Sequence, residues 1–146
     1  MTTPTAPAAA LRSTAAPSTA APSARAGAFL DALAVQDFDR LRATLDDAAH
    51  LSALLPRGLV ERDGAEQVTA AFRTWFGEVD RFELLDAALG EVGPRRHLRW
   101  RVRVQAPARG EGWLVIEQQV YADTGPDGRL TRLALLCSGF HAEASR

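Results

Sequence analysis

A chain of 146 residues, 47% of them hydrophobic, has the length and apolar content for one domain around one core. Its formal net charge of −1 excludes the basic excess that nucleic acid or an anionic membrane surface demands, and no apolar run nears the roughly 20 residues that span a bilayer. All 17 basic residues are arginine, which excludes Schiff-base catalysis, covalently held pyridoxal phosphate and a P-loop, while the single cysteine excludes an internal disulfide and fits a reducing cytoplasm.

Residues 1–26 are Ala, Pro, Ser and Thr with Arg12 and Arg25 and no acid. So few large apolar groups cannot offset the entropy of ordering, and a disordered tail is expected there. Prolines 4, 7, 17 and 22 interrupt the block that a secretory signal needs; a transit peptide, also acid-poor, is the alternative. From Ala28 to Leu45 apolar residues recur at three- and four-residue spacings (Phe29, Leu33, Leu41, Leu45), which predicts a helix broken near Gln36–Asp39, with Asp37 capping the second piece. Asp46 to Pro56 reads as a turn and a first strand. A loop follows, bracketed by Pro56-Arg57-Gly58 and Asp63-Gly64. Ala65–Val79 is a second long helix with Val68, Phe72, Trp75 and Phe76 on one stripe, Asp63 as its N-cap and Glu66 three residues later.

Strands are expected over Arg81–Val92 and Arg96–Gln105. The second alternates, with Leu98, Trp100, Val102 and Val104 on one face and His97, Arg99, Arg101 and Arg103 on the other. Glu111 to Phe140 forms a long antiparallel hairpin about the turn Asp123-Thr-Gly-Pro-Asp-Gly128. This order predicts an α+β roll: a curved, mostly antiparallel sheet with three N-terminal-side helices on its concave face.

That order, with Asp46-Asp47-Ala48 leading into the first strand and Asp127-Gly128-Arg129-Leu130 opening the last, resembles the nuclear transport factor 2-like superfamily. Within it the chain is most similar to small bacterial SnoaL-like proteins, relatives of ketosteroid isomerase and polyketide cyclases. The likeness spans about Ala28 to His141, so the domain is placed at 27–142 and a short tail at 143–146. The resemblance implies a cone with a pocket between helices and sheet, a hydrophobic polyketide- or terpenoid-like ligand and no cofactor. It also implies a homodimer through the outer sheet face that carries Trp113 and Tyr121. The same cone serves isomerases, epoxide hydrolases, cyclases, dehydratases and non-catalytic modules, so its residues must choose.

With Trp100 inside, the resemblance turns Leu114, Ile116, Gln118 and Val120 inward, and Leu133, Leu135 and Cys137 opposite them. Phe29, Leu33, Phe72, Trp75 and Phe76 complete the expected lining from the helices. Counting from Asp46-Asp47-Ala48 as in ketosteroid isomerases puts Ser52 where those enzymes carry their carboxylate base. The second acidic position falls among apolar Leu114 to Ile116, so both acids are missing. His50 shares the inward face with Ser52 in that count, and an imidazole can move a proton near neutrality, which makes it the catalytic candidate; the alternative is a half-solvated side chain bonded to backbone. Asp86 interrupts an apolar run and either faces solvent or is a tuned acid inside. Cys137 reads as a small hydrophobe, Glu117 as a cross-strand partner of the outer arginines, and His97 as a surface residue. His141 belongs at the rim or in a subunit contact. The three histidines have no metal-ligand spacing. Two functions stay open: a cofactor-independent cyclase, isomerase or dehydratase, and a non-catalytic binding or dimerising module. An epoxide-hydrolase-like Asp-Arg-Asp site ranks last, because it needs Arg99 or Arg101 inside.

Overall fold

In the computed structural model, which describes residues 17–144, the first helix is α1 (Pro17–Ala34). It starts well inside the stretch expected to be a solvated tail; residues 1–16 of that stretch lie outside the described residues. The alanines along α1 are the strongest helix formers. Ala26, the last residue assigned to the tail, is fully buried. The chain breaks at Gln36, which has φ 56°, and α2 (Phe38–Ala43) follows with Asp37 as its N-cap, accepting from the Arg40 amide at 3.1 Å. Leu45, expected in helix, instead opens the first strand.

The sheet comprises β1 (Leu45–Leu55), β2 (Gly58–Asp63), β3 (Arg81–Val92), β4 (Arg95–Gln105), β5 (Trp113–Thr124), β6 (Leu130–Cys137) and the short β7 (His141–Ala142). Their order is β2-β1-β6-β5-β4-β3, with β7 on β5, and every pairing is antiparallel except that of β1 with β6. The segment expected as a loop after Pro56 is therefore the edge strand β2, folded back on β1 with His50 opposite Asp63. Gly64 rather than Asp63 caps α3 (Ala65–Phe76), and it does so without a side-chain bond; the Asp63 carboxylate is taken by His50.

The expected alternation sets the core. Leu98, Trp100, Val102 and Val104 of β4 and Leu114, Ile116, Gln118 and Val120 of β5 all point inward and are buried. Helices α1 and α3 lay Phe29, Leu33, Phe72 and Phe76 onto them. Phe29 meets Phe72 edge-on at 5.4 Å and Trp100 at 5.8 Å, and Phe72 meets Trp75 at 5.1 Å. These are favourable aromatic geometries, and together the rings fill the cone. The one buried amide in this interior is satisfied: the Trp100 indole N–H donates to Gln118 Oε1 at 3.1 Å, and Gln118 Nε2 donates to Cys137 Sγ at 3.3 Å. Outside, the arginines pair across strands, Arg99 with Asp86, Arg101 with Glu117 and Arg103 with Glu83, each at 2.9 Å. Exposed pairs of this kind contribute little to stability, because water and salt screen them.

Candidate site at the mouth of the cone

Most residues expected to line a pocket are instead packing. Phe29, Leu33, Phe72, Phe76, Trp100, Gln118 and Leu135 are all at most 2% exposed, so they fill the interior and leave no room for a ligand there. His50 and Ser52 stand on the other face altogether. Ala49, Leu51 and Ala53 take the inner positions of β1, and alternation then sends His50, Ser52 and the half-exposed Leu54 outward. The competing frame would bury two polar groups and leave Leu51 in water, which is the costlier arrangement. Asp86 is also outside, in its pair with Arg99; that guanidinium holds its carboxyl below the usual carboxylate pKa.

His50 lies between two carboxylates on the outer edge, with Nδ1 2.7 Å from Asp63 and Nε2 3.1 Å from Glu61. Both ring nitrogens face acceptors, so the cationic ring is favoured. The bond to Asp63 raises its pKa most, burial opposes this, and Glu61 adds to the rise above the ordinary value of 6.5. A histidine pKa raised by folding stabilises fully below the unfolded value, and that contribution is lost as pH rises through the folded pKa. An NMR titration of the His50 ring is therefore expected to give a midpoint above 6.5 that falls back in Asp63→Asn. A midpoint at or below the ordinary value would show that the ring is not held by its acidic neighbours.

One of several surface cavities, with a volume of about 530 Å³, sits at the open end of the cone. Strand pairing explains its place. Because β1 runs parallel to β6, their C-terminal ends lie side by side, and β5, antiparallel to β6, starts at the same end. Leu55 to Arg57 at the end of β1, Ala108 and Arg109 before β5, and Cys137, Gly139, Phe140 and His141 from the end of β6 onward therefore converge there, beside Trp75 of α3. Of the residues expected to line a pocket, Trp75 and Cys137 are the two that reach this cavity.

Its floor is apolar and its rim cationic. Arg109 lies with its guanidinium 4.1 Å over the Phe140 ring and donates to the Thr74 carbonyl at 3.3 Å. His141 is on β7, and its Nε2 lies 2.7 Å from the Ser138 carbonyl. A carbonyl only accepts, so Nε2 donates in this contact. Gly139, at φ +85°, brings the chain so close to Pro56 that a Cβ there would lie 2.7 Å from the Pro56 ring.

Arg57, Arg109, Gly139 and Phe140 were not singled out from the sequence. The one available signal was that Pro56-Arg57-Gly58, Pro107 to Gly112 and Ser138-Gly139 are turns, and turns at one end of a sheet often carry a site. The β5–β6 hairpin puts the last two at one end, and the parallel β1–β6 pairing adds the first. On the outer face, Trp113 lies under Arg103 at 4.1 Å and Tyr121 stacks on His97 at 4.7 Å, so both aromatics expected at a dimer contact are engaged within their own chain. Among the described residues no helix is long and apolar enough to cross a membrane.

No family profile matches the chain. No curated protein matches it by sequence. Solved structures do match in fold. One is an LEH-like epoxide hydrolase of M. tuberculosis, at 20% identity over 82% of this chain and 84% of that one, with TM-score 0.60. A second, from Shewanella denitrificans OS-217, has been proposed to be a SnoaL-like polyketide cyclase and matches at 14% identity over 80% of this chain and 90% of that one, with TM-score 0.61. A third is an NTF-2-like protein of unknown function from Burkholderia xenovorans LB400, at 15% identity over 88% and 89% of the two chains, with TM-score 0.58. At these identities the likeness establishes a shared fold, not shared chemistry.

Proposed function

We propose that this chain, which has the cone-shaped fold of nuclear transport factor 2-like proteins, binds a small molecule with an apolar body at the mouth of the cone. The observation that carries this reading is the cavity of about 530 Å³ over Trp75 and Phe140, within the range of small-molecule sites, above an interior already filled by side chains. Titrating the labelled protein with neutral 2-naphthamide is expected to shift the Trp75 indole and the Gly139 and Phe140 amides saturably while leaving the Trp100 indole in place. Movement of Trp100 alone would return the site to the interior, and no movement anywhere would remove the reading.

A second reading, a cofactor-independent cyclase, isomerase or dehydratase acting on a polyketide- or terpenoid-like molecule, is favoured by His141. His141 lines the cavity with Nε2 turned to the Ser138 carbonyl, which leaves Nδ1 to accept a proton, and a positioned general base contributes about 10²–10⁴-fold to a proton transfer. One structure of the same fold has been proposed to be a polyketide cyclase, a name of this class. Deuterium exchange at the α-carbon of 1-tetralone is then expected to outrun buffer and to fall about 100-fold in His141→Gln. Exchange at the buffer rate, or unchanged in the variant, would leave His141 without a proton-transfer role.

A further inference from the structure

We infer that the mouth cavity selects a ligand with a carboxylate head on its apolar body; the inference rests on the reading of that cavity as a small-molecule site. Two arginines from separate turns, Arg57 and Arg109, line it together with His141, and no acidic side chain does. Among the described residues neither arginine is in an ion pair, in contrast to Arg99, Arg101 and Arg103 on the outer face, whose charges are met by acids of their own sheet.

Arg109 is also held ready. Phe140 supports one face of its guanidinium at 4.1 Å, and the Thr74 carbonyl takes one N–H at 3.3 Å. A guanidinium has five donors in a fixed fork, so donors remain for the two oxygens of a carboxylate, and the stacked side chain has less freedom left to lose on binding. Trp75, Leu55 and Phe140 give the body of such a ligand an apolar surface, which a compact polyanion has no use for.

Isothermal titration of 2-naphthoate against its neutral isostere 2-naphthamide at pH 7.5 separates head from body. The carboxylate is expected to bind about tenfold more tightly, an advantage that shrinks with added salt. Arg109→Gln and Arg57→Gln are each expected to remove most of that advantage, lowering naphthoate affinity well beyond any change in naphthamide affinity. Arg57 lies exposed on a turn, so its variant carries the test even where Arg109→Gln loses stability. Equal affinities for the two probes, or equal losses in the variants, overturn anion selection while the cavity stays a binding site. Binding of neither probe overturns the cavity reading and this inference with it.

Discussion

Trp100→Ala is expected to lower the unfolding free energy by about 3–5 kcal/mol, the range for removing a large aromatic from a packed core. Trp100 has no exposed surface; it touches the rings of Phe29 and Phe72 and donates its indole proton to Gln118. Truncation removes buried apolar area, leaves a cavity, and strands the Gln118 carbonyl in an apolar interior without its donor. A small domain has about 5–15 kcal/mol in all, so the variant should unfold at a clearly lower urea midpoint with an unchanged slope. The same cavity gives a second readout. An apolar void lined by aromatic rings takes small aromatics, so added indole should restore part of the lost stability. A loss below about 1 kcal/mol, with no response to indole, would mean that the cone is hollow around Trp100 rather than packed.

Gly139→Ala is expected to cost about 2–4 kcal/mol and to abolish binding at the mouth, combining a strained left-handed backbone with overpacking. Gly139 has φ +85°, and its added methyl would start 2.7 Å from a carbon of the Pro56 ring, which cannot swing aside as a long side chain would. The turns after β1 and β6 would have to move apart, and these two turns form one wall of the cavity. Urea unfolding measures the first effect, and titration with 2-naphthamide on the folded fraction measures the second. A variant of undiminished stability would show that the two turns are not in close contact.

Element type was legible wherever one local period dominated. The alternation from Leu98 to Val104 and the stripe from Val68 to Phe76 both lie in the core as expected, because side-chain direction along a strand or helix follows from backbone geometry alone. The same rule held in β1, where apolar residues at 49, 51 and 53 alternate with polar ones. Placing His50 and Ser52 inside came from counting along a family pattern, and the local alternation was the sounder guide. The edge strand β2 was missed because Gly58–Asp63 is exposed or half-exposed throughout and so has no buried face to mark it.

By itself the sequence determined the three helices, the long hairpin and the inward and outward faces of β4. These follow from periodicity and residue chemistry within short windows. The tertiary structure alone decided that the interior is packed with side chains and that the turn after β1 meets the turn after β6. The first depends on whether ring volumes contributed by α1, α3 and β4 sum to the space available. The second depends on one parallel pairing, β1 beside β6, which joins residues about eighty positions apart and aligns turns that nothing local relates.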